Sequence, residues 1–221
     1  MTKVSIGILQ MEMGDEPSEN LEKAIKLIKE ASKKGAQIAC LPELFTTRYF
    51  PQSAKNAKHL PGSFFETIPG TATEALSKAA RDNQVVVIGG SLYEKTGEKL
   101  FNTTPVFGTE GELLGTYRKM HVPQDEFFFE QDYFAPGDKG FQVHKTKFGR
   151  IGALICYDQW FPEAARANAL LGADILFYPT AIGTVDGVAQ EEGDWQEAWE
   201  NVMRGHAIAN GVIVVAVNRV G

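Results

Sequence analysis

Cysteine is scarce in this chain: 221 residues carry only two, Cys40 and Cys156. Two thiols are too few for the disulfide framework of a small secreted domain, and both are expected to be free. Histidine is almost as sparse. His59, His121, His144 and His206 show no HExxH or Cys/His ligand spacing, so no metal is expected. No apolar run approaches the roughly 18 residues of a membrane span. The stretch from Met1 to Gln10 reads as a strand rather than a charged-then-apolar leader, which makes the cytoplasm the expected compartment. Lys/Arg clusters with interleaved aromatics are missing and the net charge is −6, which argues against nucleic acid and anionic membrane and favours a small-molecule partner. No Pro/Ser-rich or charged linker interrupts the chain, so residues 1–221 read as a single domain. A hydrophobic share of 43% and a charged share of 23% are ordinary for a globular enzyme.

What is present centres on Gly149 to Glu163, GRIGALICYDQWFPE. Ile151 to Ile155 is a short apolar run that suits a buried strand. Cys156 ends it, and Pro162 suits the first turn of a helix carried on by Ala164, Ala167 and Leu171. A thiol on a sharp strand-to-helix turn is exposed to backbone N–H groups that point at the same space.

In chain order, Lys3 to Gln10 alternates as a strand. A helix capped at Ser18 follows with an apolar stripe through Leu21, Ala24, Ile25, Ile28 and Ala31, and Gly35 stops it. The strand Ala36 to Leu41 delivers Glu43 to a carboxyl end, where open α/β sheets place their chemistry. Residues 46–69 form a long aromatic loop. Thr71 to Asn83 reads as helix, Gln84 to Tyr93 and Lys99 to Phe107 as strands, and Glu112 to Tyr117 closes a hairpin. Lys119 lies just past it. Phe141 to His144, Ile175 to Tyr178 and Val212 to Val217 are further strands. Trp195, Trp199, Val202, His206 and Ala209 mark one face of a helix, expected to pack as core. Gly35-Ala36-Gln37-Ile38 and Gly172-Ala173-Asp174-Ile175 echo each other, a weak sign of two similar halves.

Glu43, Lys119 and Cys156 thus stand at the ends of separate sheet elements. A cysteine is only slightly ionised at neutral pH, so a thiol that attacks an unactivated carbonyl needs a base and a cation at the developing oxyanion. Glu43 can take the thiol proton and later give it to the leaving amine. Lys119, with the backbone N–H of Tyr157, can stabilise the oxyanion.

Leu41-Pro42-Glu43, Tyr117-Arg118-Lys119-Met120-His121 and Ile155-Cys156-Tyr157-Asp158 with Phe161-Pro162-Glu163 resemble the three signature blocks of the nitrilase, or carbon–nitrogen hydrolase, superfamily. The resemblance implies an α/β fold, an αββα sandwich of two mixed β-sheets flanked by helices. It implies a Glu43–Lys119–Cys156 triad, no metal or organic cofactor, and a homo-oligomer. Relatives continue past Asn218-Arg219-Val220-Gly221, so the fold is expected without their C-terminal strands. A supporting glutamate falls on Glu130, with Glu126 as rival. The closer resemblance is to N-carbamoylputrescine amidases, through the run from Cys156 to Glu163, Phe177 to Gly183 and Val202-Met203-Arg204-Gly205-His206. Tyr49, Tyr157, Trp160, Thr180 and Ala181 are the expected substrate-facing positions. A cationic substrate tail would favour an acidic rim, and the loop from Asp186 to Asp194, with Glu191 and Glu192, is the candidate. The alternatives, a β-ureidopropionase-like or ω-amidase-like enzyme, need a cation for a substrate carboxylate, and Arg48 is the candidate. From a different class, a catalytically silent binding or scaffold protein would keep the fold.

Overall fold

A computed structural model describes residues 3–54, 64–183 and 193–220. The order of elements is β1 (Ile6–Ile8), α1 (Pro17–Lys33), β2 (Ile38–Cys40), α2 (Thr71–Asn83), β3 (Val86–Ile88), β4 (Leu92–Thr96), β5 (Lys99–Phe107), β6 (Leu113–Arg118), β7 (Val143–Thr146), β8 (Gly149–Ala153), α3 (Pro162–Leu170), β9 (Ile175–Thr180), α4 (Trp195–Asn210) and β10 (Ile213–Asn218).

Two mixed sheets result. In the first, β1, β2 and β3 are parallel. Antiparallel β5 pairs with β3, β4 and β6. In the second, β10, β9 and β8 are parallel and β7 closes the edge antiparallel. The sheets face each other across Ile38, Cys40, Val86, Ile88 and Val106 on one side and Ile151, Ala153, Ile175, Phe177 and Val215 on the other. Helices α1 and α2 cover the outer face of the first sheet through Ala24, Ile28, Leu76 and Ala80 against Leu41 and Val87. On the second sheet Ala164, Ala165 and Met203 cover Leu176, Tyr178 and Val214. Each layer buries the apolar face that its period creates, which gives the expected αββα sandwich.

The two halves echo in space as well. Helix α1 ends on Gly35 at φ +89° and leads into β2; the segment after α3 passes through Gly172 at φ +93° into β9. The N–H of Ala36 returns to Ala31 O, and that of Ala173 to Asn168 O, the longer bond of a Schellman stop in both cases.

Three local expectations are corrected. Helix α1 begins earlier than Ser18: Glu16 is the N-cap and Pro17 fills the first turn, where its missing N–H costs nothing. The run Gln84 to Tyr93 is split, because Gly90 takes a positive φ to pass the carbonyl of Pro42, which a Cβ would meet at 2.2 Å. On α4 only His206 is buried, and Trp195 is 41% exposed, because the helix is the outermost layer and meets the sheet along one narrow line.

Candidate active site

Glu43 just past β2, Lys119 just past β6, Cys156 just past β8 and Glu130 on a short 3-10 turn meet, and all four side chains are buried. Lys119 Nζ lies 2.9 Å from Glu43 Oε1 and 2.7 Å from each oxygen of Glu130. Its donors are therefore engaged by carboxylates, and what it brings to an oxyanion is charge at close range rather than a spare N–H. Glu43 Oε1 also accepts from Asn102 Nδ2 at 2.8 Å, while Glu43 Oε2 is buried without a partner among the described residues. Tyr49 O–H donates to Glu130 Oε1 at 2.6 Å. Cys156 Sγ faces Ala181 O at 3.8 Å. Glu126 stands on an exposed turn, its N–H on Asp125 Oδ1.

Local backbone explains the placement. Cys156 has φ +38° at the junction of the β8 segment and a short 3-10 turn, Cys156–Trp160. A non-glycine residue in that region carries strain of about 1–3 kcal/mol, held here by the surrounding packing. Asp158 is the main brace. It accepts the Ile155 N–H at 2.9 Å, the Tyr117 O–H at 2.8 Å and the His121 N–H at 3.1 Å, and pairs with His121 Nδ1 at 2.7 Å. One carboxylate thereby ties both flanks of Lys119 to the residue before Cys156. On the other side Leu44, also at positive φ, donates its N–H to Ser91 Oγ at 2.9 Å, which fixes the chain directly after Glu43.

The electrostatics describe a buried thiol that resists ionisation. Burial pushes the Cys156 thiol up, Glu43 adds to that, and Lys119 only partly opposes it. Burial also raises the Glu130 carboxyl, to about 7, against the pull of Lys119. For Lys119, burial works to lower its pKa, but Glu130 and Glu43 outweigh it and the ammonium is held well above its ordinary value. Proton loss from sulfur must then coincide with its attack, because a free thiolate is disfavoured in this site.

The remaining expected positions have distinct settings. Tyr157 follows the thiol, with its ring edge-on to Phe161. Its N–H lies in the first turn, where helices leave donors open. Trp160 packs edge-on against Trp195. Thr180 Oγ1 donates back to Tyr178 O at 2.9 Å. Arg48 is exposed and pairs with Asp15 at 2.6 Å. Residues 186–192 of the acidic loop, Glu191 and Glu192 among them, lie outside the described residues. Asp194 caps α4 by accepting the N–H of Gln196 and of Glu197. No sequence pattern singles out Asn102 or Ser91, and Asp158, though inside a signature block, carries no sign there of its bracing role. The only available signal is a polar residue inside an otherwise buried strand or turn.

The family model described as carbon-nitrogen hydrolase matches residues 5–221. An N-carbamoylputrescine amidase from Solanum lycopersicum is 42% identical over 99% of this chain and 71% of its own length. A citrullinase from Francisella tularensis is 38% identical, and an ω-amidase from Bos taurus 39%, each over 99% of this chain and 75% of its own length. The crystal structure of a carbon-nitrogen hydrolase from Helicobacter pylori G27 superposes with a TM-score of 0.89 at 40% identity, over 99% of this chain and 74% of that one. This chain belongs to the carbon-nitrogen hydrolase family and is an amide-hydrolysing enzyme.

Proposed function

We propose that the enzyme is a cytoplasmic thiol amidohydrolase that cleaves a non-peptide C–N bond in a linear ureido compound, with N-carbamoylputrescine as substrate. The observation that carries the mechanism is the buried grouping of a thiol, a carboxylate with one open oxygen, and a cation between two carboxylates. In this reading Cys156 Sγ attacks the ureido carbon as Glu43 takes its proton. Lys119 and the Tyr157 N–H stabilise the oxyanion, the leaving nitrogen takes the proton from Glu43 and departs, and water, deprotonated by the same carboxylate, releases the acyl group. Glu130 holds Lys119 in place. Tyr49 steadies Glu130 through its hydroxyl and, with Trp160, Thr180 and Ala181, borders the substrate.

The substrate choice rests on the N-carbamoylputrescine amidases at 41–42% identity and on the pairing of exposed Arg48 with Asp15, which already supplies that guanidinium with a carboxylate. The runner-up is an ω-amidase-like or β-ureidopropionase-like enzyme, favoured by the ω-amidase relatives. Ammonia release from N-carbamoylputrescine, N-carbamoyl-β-alanine, citrulline, an ω-amide and a simple nitrile is the test. Preference for N-carbamoylputrescine by at least about tenfold in kcat/KM, about 1.4 kcal/mol of transition-state discrimination, is expected. A higher value for an anionic substrate overturns the assignment. We also assign a homo-oligomer, formed through the exposed apolar residues Leu170 on α3, Leu171 directly after it and Ile208 on α4. Light scattering checks it, and a monomer contradicts it.

A further inference from the structure

We propose that Asn102 is a positioning residue that decides which oxygen of Glu43 receives the thiol proton; this rests on Glu43 being the base. Asn102 sits on β5 within KLFNTTPVF and is 1% exposed. It touches both members of the Glu43–Lys119 ion pair. Its Nδ2 donates to Glu43 Oε1 at 2.8 Å, and its backbone carbonyl accepts the Lys119 N–H at 2.9 Å. The amide orientation follows from its partner, because a carboxylate oxygen only accepts.

The consequence concerns the two oxygens of Glu43. Oε1 accepts from Asn102 Nδ2 and Lys119 Nζ together, which uses its lone pairs. Oε2 is buried and has no partner among the described residues. The S–H bond of Cys156 therefore breaks toward Oε2, the electron pair left on sulfur forms the bond to the substrate carbon, and the same oxygen later returns the proton to the departing nitrogen. Asn102 also carries a cost that packing alone would not justify. Its Oδ1 is buried without a partner among the described residues, a burden that an apolar residue at this strand position would not bear. Neighbouring polar residues are spent on other tasks: Thr103 Oγ1 donates to Glu94 and Thr104 Oγ1 to the Gly90 carbonyl. Only Asn102 reaches the catalytic carboxylate from this strand.

The test uses Asn102→Leu, which removes the donor at similar volume, and Asn102→Asp, which keeps the shape but sets a second acceptor against Oε1. Glu43→Gln is the control. Two profiles are recorded from acid to alkaline pH: kcat/KM for the best substrate of the panel, and the rate of Cys156 alkylation by iodoacetamide. Losing a donor to the charged form of a carboxylate raises its pKa, and adding a like charge raises it further. The acid limb of both profiles should shift to higher pH in Asn102→Leu, and further in Asn102→Asp. In both variants kcat should fall roughly 10- to 100-fold while KM changes less than about threefold. Acid limbs that coincide with wild type, with only a lower melting temperature, would reduce Asn102 to a packing residue and overturn the proposal. Wild-type activity in Glu43→Gln would instead overturn the base assignment on which it rests.

Discussion

Cys156→Ala should abolish hydrolysis of every substrate that the wild-type enzyme accepts, a loss of roughly 10⁴-fold or more, while the chain stays folded. The nucleophile has no substitute nearby. Cys40, the other thiol, lies in the core between the two sheets and is fully buried, with its thiol pushed well up by that burial. The structural cost of the change is small, because the alanine keeps the Cβ and the φ of +38°, and only a sulfur in contact with Ala181 O is lost. Circular dichroism and the denaturation midpoint should match wild type within about 1 kcal/mol. Residual turnover above about one part in a thousand would mean that the thiol is not the group that attacks.

Lys119→Met should have the largest effect on stability. Its ammonium is fully buried between Glu43 and Glu130, and removing one partner of a buried ion pair typically costs about 3–5 kcal/mol because the other charge is stranded. The sign with pH follows from Glu130. Its carboxyl in the folded protein already stands at about 7, raised by burial and held from rising further by Lys119. A carboxyl raised on folding adds stability below its unfolded pKa and loses it as pH rises through the folded one. Without Lys119 the folded value climbs higher, so the deficit against wild type should be smallest below about pH 7 and widen above it. Adding Glu130→Gln should recover part of the alkaline loss. Denaturation of wild type, single and double variants at an acid and an alkaline pH checks this; a deficit independent of pH would contradict it.

The fold was legible where local pattern and long-range packing agree. Thr71–Asn83 and Lys99–Phe107 form within the limits that the pattern suggests, because α2 buries one continuous face and β5 is buried on both of its faces from Phe101 onward. The break between β3 and β4 was not legible. VVVIGGSLY reads as one apolar run, and what interrupts it is the distant Pro42 carbonyl under Gly90. The same crossing delivers Ser91 to the N–H of Leu44, so a feature invisible in the pattern supports the catalytic carboxylate. At the site, Glu43, Lys119 and Cys156 are readable because each ends a recognisable element in a distinctive block. Asp158 lies in such a block, but its bonds run to Tyr117 and His121, 41 and 37 residues away, and only the folded arrangement reveals them. Asn102 is hidden for the same reason: its partner is 59 residues off, in the turn after β2.

The central claim is that the acyl group of the substrate passes through Cys156. Acid quenching during steady turnover, followed by digestion and mass analysis of the peptide that holds Cys156, tests it most directly. The account predicts an adduct of one acyl group on Cys156 that appears only with substrate and is missing from Cys156→Ala. An unmodified Cys156 peptide throughout turnover, under quench conditions in which an iodoacetamide adduct on the same residue survives and with deacylation shown not to outrun acylation, would contradict it.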